Sequence, residues 1–240
     1  MKARLSVAIF AAGLLNMTLM SARAAELKPF TATYQVVWHG ITAGTVTYSF
    51  EHLDGERWSY GSRSSPVGMA RMFLPDSITQ RSVMQISNQG VQPLSYDADD
   101  GTSNTKRDSH LQFDWNAQRV RGVYEQENVD LALRPGVQDD LSVQIALIHA
   151  LNRAETPTAV SMVNKNTIRD YQYQHESSAT LDTPVGKLAS DVYVFQRVKS
   201  PRQTRFWCAP SLGYLPIRAE QRREGKVEWT MQITSVQRAQ

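Results

Sequence analysis

Apolar and polar side chains alternate with a period of two along most of the chain, and this pattern constrains the fold more than any other feature. Phe30, Tyr34 and Trp38 alternate with polar neighbours near the start, and Trp229 and Ile233 do so near the end. Successive side chains of a β-strand point to opposite faces, so the pattern predicts strands with one buried and one wet face. Glycine-containing turn signals recur at intervals that suit strands of about 7 to 12 residues.

One segment departs from this period. Between Asp139 and Arg153 the apolar residues cover most of a helical circumference, which predicts one helix that is largely enclosed. Asp139 or Asp140 is expected to cap its first turn. A Met-rich stretch bounded by prolines, residues 66–75, is expected to form a loop or one helical turn. The predicted fold is mainly β: a curved antiparallel meander sheet, or half-barrel, wrapped around one apolar α-helix.

The N-terminal segment has the features of an export signal. A basic end precedes the apolar run 5–20, and residues 22–24 offer the small-x-small pattern that a signal peptidase recognises. We therefore predict a cleavable signal peptide over 1–24 and a single β-rich domain over 25–240. The expected location is the periplasm. The protein is expected to be neither membrane-spanning nor lipidated, because no second apolar run recurs and no cysteine lies at the cleavage site.

Charge and cysteine usage exclude two classes of protein. Lys2, Arg4 and Arg23 account for the formal charge of +3, and the rest of the chain carries 23 basic and 23 acidic residues. The body therefore has no global attraction for phosphate, and nucleic acid is not an expected partner. Cys208 is the only cysteine. An internal disulfide is thus impossible, and Cys208 is expected to be a small apolar residue of the core.

A search for catalytic motifs gives no assignment of catalytic, metal or cofactor residues. The chain has no Gly-x-Ser-x-Gly elbow, His-Glu-x-x-His motif, phosphate loop or dinucleotide fingerprint, and its five histidines show no ligand spacing. The main hypothesis is therefore non-enzymatic. An envelope enzyme acting on glycan or lipid stays open as an alternative, with Asp139, Asp140 and His149 as its acid–base group.

Two binding hypotheses follow from the distribution of side chains. In the first, inward-facing aromatic residues and an adaptable Met-rich loop shelter an apolar or amphipathic envelope component, a lipid or a lipidated partner, between the sheet and the helix. Its candidate ligand-binding residues are Tyr34, Trp38, Met69, Met72, Phe73 and Trp115. In the second, a basic C-terminal surface binds an acidic envelope partner or another anion through Arg218, Arg222 and Arg223.

Five runs of sequence also carry a resemblance to a known family. They are FTATYQVVWHGITAG at 30–44, GVQDDLS at 136–142, TPVG at 183–186, RFWCAP at 205–210 and YLPIR at 214–218. In this order they resemble the exported bacterial proteins grouped as domain of unknown function 3108, a resemblance that implies no activity. The predicted architecture is also similar in shape to the periplasmic lipoprotein carriers of Gram-negative bacteria, and shape alone does not determine function.

Overall fold

One continuous sheet organises the computed structural model, which describes residues 27–68, 71 and 77–238. Its 15 strands lie in the order β8-β7-β6-β5-β4-β3-β2-β1-β15-β14-β13-β12-β11-β10-β9. The chain thus forms two meanders, and the antiparallel pairing of β1 with β15 joins them into one curved surface that does not close. The predicted mainly-β half-barrel around one helix is confirmed.

The strands are β1 (Phe30–Trp38), β2 (Ile41–Asp54), β3 (Arg57–Pro66), β4 (Ile78–Ser87), β5 (Gly90–Asp99), β6 (Ser109–Asp114), β7 (Arg119–Tyr124), β8 (Glu127–Ala132), β9 (Val137–Gln138), β10 (Ala159–Asn164), β11 (Thr167–Thr183), β12 (Gly186–Arg197), β13 (Arg202–Ala209), β14 (Leu215–Arg223) and β15 (Lys226–Arg238). The helix α1 is Ser142–Asn152. Short 3₁₀ turns lie at Thr105–Arg107 and Pro210–Leu212.

The helix lies between the two meanders and is apolar on both sides. Leu141, Ile145 and Ile148 pack against the cluster formed by the inward faces of the first meander and the β13–β15 region. Val143 and Leu147 pack instead in a second cluster with residues of β10 to β13. Because both sides of α1 bury apolar area, the helix holds the two meanders around one interior.

The two edges of the sheet, β8 and β9, differ from the simple meander that the sequence predicts. The two-residue strand β9 pairs with β10 in parallel, while the other strand pairs are antiparallel. The Lys165 ammonium lies 3.1 Å from the Glu125 carboxylate, which links the β10–β11 turn to the β7–β8 turn. The edges thus approach each other through side chains rather than through a ladder of backbone hydrogen bonds.

Candidate functional site

A buried carboxylate organises the start of α1. The Asp139 carboxylate accepts hydrogen bonds from the backbone N–H groups of Leu141 and Ser142, both at 2.8 Å, and from the Ser82 hydroxyl at 2.7 Å. The Ser142 hydroxyl accepts in return from the backbone N–H of Asp139. Leu141 directly precedes α1 and its side chain makes no cap bond. The Asp139 carboxylate instead binds the N–H groups at the start of the helix, in the reciprocal pattern of a capping box, so the predicted capping role of Asp139 is confirmed. Burial raises the pKa of Asp139 to about 6, although its hydrogen bonds lower it.

Asp140 has a different partner and does not cap the helix. Its carboxylate accepts from the Tyr124 hydroxyl, and the Tyr96 hydroxyl accepts from the Gln80 side-chain amide at 3.0 Å. Burial raises the pKa of Asp140, and hydrogen bonds from the two tyrosines lower it. The two acids therefore join α1 to strands β4, β5 and β7 through a hydrogen-bonded network, which is a structural role.

The structure does not bring His149 to this pair of acids. His149 lies in the last turn of α1, nine residues after Asp140, or roughly 14 Å along the helix axis. Burial lowers the pKa of His149, so its imidazole is favoured in the neutral form. Asp139, Asp140 and His149 therefore do not form one acid–base group, because proton transfer requires groups within hydrogen-bond reach of the same substrate.

The aromatic residues predicted to bind a ligand lie in different surroundings. Tyr34 is buried and its hydroxyl donates to the backbone oxygen of Pro216 at 2.8 Å. Trp115 is half-buried and its indole N–H donates to the backbone oxygen of Pro93 at 2.7 Å. Trp38 is 58% exposed at the end of β1. The structure therefore does not gather these three side chains around one space.

The other three predicted ligand-binding residues, Met69, Met72 and Phe73, lie outside the described residues.

The expected space between the sheet and the helix is filled by side chains. Beside Val143, Leu147 and Tyr173 it narrows to a crevice of about 20 Å³. A cavity of this size has room for about one water molecule and not for a lipid chain. At this position the apolar faces of the helix and of β11 to β14 pack directly together, so the crevice does not support a ligand between α1 and the sheet, and that binding stays a prediction.

The arginines predicted to bind an acidic partner are partly used within the protein. Glu220 lies on the same face of β14 as Arg218 and Arg222, and its carboxylate oxygens are 3.2 Å and 2.5 Å from their guanidinium nitrogens. Burial raises the pKa of Glu220, but the two guanidinium groups outweigh it and hold the pKa below its usual range. Arg223 is exposed. Binding of an acidic partner by these arginines stays a prediction.

One acidic cluster in the described residues has the composition of a metal site. Carboxylate oxygens of Asp99, Asp100 and Asp108 lie within 4.8 Å of one another at the β5–β6 connection. Asp100 accepts from the backbone N–H and the hydroxyl of Thr102, while Asp99 accepts from the backbone N–H of Gly101. The conformation of the loop itself therefore accounts for the position of these carboxylates.

One cavity of the described residues, about 760 Å³, is an open groove along β2 to β6. Its walls include hydroxyl groups such as those of Thr47 and Thr79, and the Arg81 guanidinium in it is already bonded to Ser59 at 2.9 Å. Binding of small molecules generally needs a concave and mostly apolar wall with a few polar groups. The groove is lined by polar and charged side chains apart from Gly61 and Ala98, so it offers no large apolar side chain to a ligand and is not the favoured site.

A smaller cavity has both kinds of surface, and we call it the end cavity. Its volume is about 430 Å³. It lies where the start of β1, the end of α1, the turn 210–213 and the end of β15 meet. Its apolar lining consists of Leu27, Phe30, Ile148, Leu212 and Leu215, and its polar lining includes Lys28, Asn152 and Arg238.

Two polar side chains of the end cavity, Asn152 and Arg238, are held in place by the backbone around it. The Asn152 amide donates to the backbone oxygens of Ile148 and Gly213 at 2.8 Å and 2.9 Å, and the Arg238 guanidinium donates to the backbone oxygen of Leu212. Burial lowers the pKa of Arg238 from its usual value. A guanidinium beside an apolar wall is suited to an amphipathic anion, because it forms charge-assisted hydrogen bonds with a carboxylate or phosphate while the wall contacts the apolar part.

Lys28 and Arg238 were not among the residues predicted from the sequence. They are 210 positions apart and come together because Phe30 pairs with Arg238 in the β1–β15 ladder. The matching alternation at the two ends of the chain is the signal that could have indicated this pairing.

Comparison with known proteins identifies the family. Residues 33–227 match the family described as protein of unknown function DUF3108, so the chain belongs to that family and the resemblance seen in the sequence is confirmed. A comparison with curated proteins gives no match.

One solved structure shares the fold at very low identity, and two others are similar at lower TM-scores. A β-barrel-like protein of domain of unknown function DUF1849 from Brucella abortus is 8% identical, with a TM-score of 0.57 over 90% of this chain and 99% of that one. A candidate lipoprotein of Parabacteroides distasonis is 8% identical (TM-score 0.39; 88% and 96% covered), and a candidate exported protein of Bacteroides fragilis with a YmcC-like fold is 11% identical (TM-score 0.38; 88% and 96% covered). Within the described residues, α1 and the short turns are not long and apolar enough to span a bilayer.

Proposed function

We propose that this protein is a non-enzymatic binding module of the periplasm that takes an amphipathic component of the cell envelope into the end cavity. The observation that carries this proposal is the cavity itself, because it combines an apolar wall with two basic side chains, Lys28 and Arg238. Its volume lies within the range of about 300 to 1,000 Å³ typical of small-molecule sites. The basic end and apolar run of residues 1–24 support the periplasmic location.

The chemistry of the lining defines the class of ligand. Phe30, Ile148 and Leu215 are buried and offer an apolar surface to a short hydrocarbon chain. Lys28 and Arg238 provide positive charge for a carboxylate or phosphate at the end of that chain. The ligand expected from this arrangement is an anionic amphiphile with one short chain.

Calorimetric titration with laurate, kept below its micelle concentration, tests the proposal on protein expressed from the full chain. Arg238→Glu should weaken laurate binding about tenfold or more, because a hydrogen bond between charged groups contributes about 1.5 to 3 kcal/mol. Leu212→Trp narrows the apolar wall and should weaken binding of laurate and of the uncharged dodecanol alike. Lys187→Glu, a charge reversal at an exposed lysine at the start of β12 outside the cavity lining, is the matched control.

The pattern of losses decides the result. If the cavity binds both the charged and the apolar part of the ligand, Arg238→Glu should weaken laurate binding more than dodecanol binding, and Lys187→Glu should change neither. If wild-type protein binds neither compound, or if the two cavity variants bind laurate as the wild type does, the end cavity is not the binding site.

A further inference from the structure

Most of the exposed large apolar residues lie at the ends of the strands that are farthest from the end cavity. Of the seven large apolar residues exposed among the described positions, five lie in four neighbouring segments: 37–42, 66–68, 197–202 and 222–228. We call these segments the turn strip. The five residues are Trp38, Ile41, Val67, Val198 and Val227.

Backbone contacts make the turn strip one continuous surface. The backbone N–H of Val67 donates to the oxygen of Ala43, and that of His39 donates to the oxygen of Glu228, both at 3.0 Å. The backbone N–H of Glu224 donates to the oxygen of Pro201 at 3.2 Å. The segments that follow β1, β3, β12 and β14 therefore lie side by side.

Local conformation explains why the largest apolar side chains project here. Residues His39 and Gly40 both have positive φ, 46° and 82°, as a two-residue turn between twisted strands requires. The turn makes Trp38 and Ile41 direct cross-strand partners. Trp38 is 58% exposed and Ile41 is 68% exposed, so neither contributes much to the core.

The turn strip is also strongly basic. Its four segments contain six basic residues and only two acidic ones, Glu224 and Glu228. Arg202 binds Glu228, and Arg222 binds Glu220. The remaining basic residues, which have no ion-pair partner within the part of the chain that the structure describes, are Arg197, Lys199, Arg223 and Lys226.

We propose that the turn strip docks the protein onto the surface of a bilayer that contains anionic lipids. Exposed tryptophan and aliphatic side chains among lysine and arginine are the combination that binds the headgroup region, where indole rings are favoured and cations are attracted. The apolar side chains lie at the tips of separate turns, which suits a flat, deformable surface. A second copy of this chain would bring two basic strips together, and like charges disfavour that contact.

Docking through the turn strip is independent of ligand binding in the end cavity. The strand β1 connects the two regions, with Phe30 at the cavity and Trp38 in the strip. Nine residues of extended strand span roughly 30 Å. The two surfaces can therefore be altered separately.

Flotation with lipid vesicles tests the proposal. Wild-type protein should float with vesicles of phosphatidylglycerol and phosphatidylcholine, and much less with phosphatidylcholine alone. The double variant Lys199→Gln with Lys226→Gln should lower the partition coefficient about 25-fold, since one basic residue near an anionic surface contributes about fivefold. Lys187→Gln, which removes an exposed lysine outside the strip, should leave binding unchanged.

The apolar contribution is tested in the same assay. Trp38→Ser with Ile41→Ser should abolish flotation, while Leu53→Ser, at an exposed leucine near the end of β2, should not. All these side chains are exposed, so folding should persist and circular dichroism checks that it does. Brominated lipids should quench tryptophan fluorescence in the wild type, and this quenching should be lost in Trp38→Phe.

Three results would overturn membrane docking. One is the absence of flotation with anionic vesicles. The second is equal flotation of the wild type and the Trp38→Ser, Ile41→Ser variant. The third is a dimer, seen by analytical ultracentrifugation without vesicle binding, that this variant dissociates, since the strip would then contact a second copy.

Discussion

Replacing Asp139 with asparagine tests whether the charge that caps α1 stabilises or destabilises the fold. The carboxylate is only 1% exposed, and it accepts bonds from two backbone N–H groups and from Ser82. Asparagine keeps a side-chain oxygen for the helix cap, and the Ser82 hydroxyl can accept from its amide. Asp139→Asn therefore removes the buried charge while it preserves the hydrogen-bonding geometry.

The expected effect on stability depends on pH, and its sign follows from the pKa of Asp139. In the folded protein that pKa is raised from 3.8 to about 6, mainly by burial. The native state therefore holds the proton more tightly than the unfolded state, so the contribution of Asp139 to stability is lost as pH rises from about 4 to about 6. Between pH 4.5 and 7.5 this loss amounts to about 2 kcal/mol of unfolding free energy.

Urea denaturation of the wild type and Asp139→Asn at the two pH values measures this effect directly. The variant should gain stability relative to the wild type by about 2 kcal/mol on going from pH 4.5 to 7.5. Asp139→Ala is the control, because it removes the cap together with the charge. It should be less stable than Asp139→Asn by about 2 kcal/mol at both pH values, since neither variant has a titrating group at this position. If Asp139→Asn gains no stability relative to the wild type over this range, the folded pKa of Asp139 is not raised; if the variant loses stability relative to the wild type, the cap favours the ionised carboxylate. Either result would refute the reasoning.

Two further substitutions test other parts of the structure. Glu220→Gln should lower the unfolding free energy at pH 7 by about 1 to 2 kcal/mol, a modest value because the two guanidinium groups left without their partner are about one-third exposed. Since the folded pKa of Glu220 is lowered, the loss of stability measured by urea denaturation should shrink as pH falls below about 4. A loss that stays unchanged at low pH would contradict this prediction. Gly122→Ala should disrupt the β6–β7 ladder, because φ of Gly122 is +145° and an added Cβ would lie 1.9 Å from the backbone oxygen of His110. Gly61→Ala is the control, since its added Cβ has a nearest contact of 3.3 Å and should be tolerated. Thermal unfolding followed by far-UV circular dichroism compares the two variants, and equal melting temperatures would contradict the predicted strain at Gly122.

The strands and the helix could be predicted because each depends on a local pattern. Tyr34 and Ile233 belong to alternating stretches whose apolar side is buried, as the period of two requires. The helix α1 is apolar on most sides, so it has to be buried. Asp139 lies just before the helix, where a carboxylate can accept hydrogen bonds from the first N–H groups.

The candidate site could not be predicted in the same way, because it depends on long-range pairing and on where strands end. Val36 pairs with Gly44 and Val37 with Thr42, so a bulge at Ala43 of β2 lies beside the end of β1, where the structure exposes Trp38. The hydrogen bond from the Tyr34 hydroxyl to the backbone oxygen of Pro216 also joins residues that are 182 positions apart. Neither relation has a local sequence signal.

The two proposals together constrain the kind of ligand. If the turn strip rests on a bilayer, the end cavity opens roughly 30 Å away along β1, beyond the lipid headgroups. An amphiphile must then cross water to enter the cavity. The transfer free energy opposes that step by about 0.8 kcal/mol for each CH₂ group exposed to water, so it is large for a long-chain phospholipid and small for a single short chain. Trp38 and Arg238 lie at opposite ends of the β1–β15 pair. This separation favours a ligand that is soluble as a monomer, in agreement with the volume of about 430 Å³ of the end cavity.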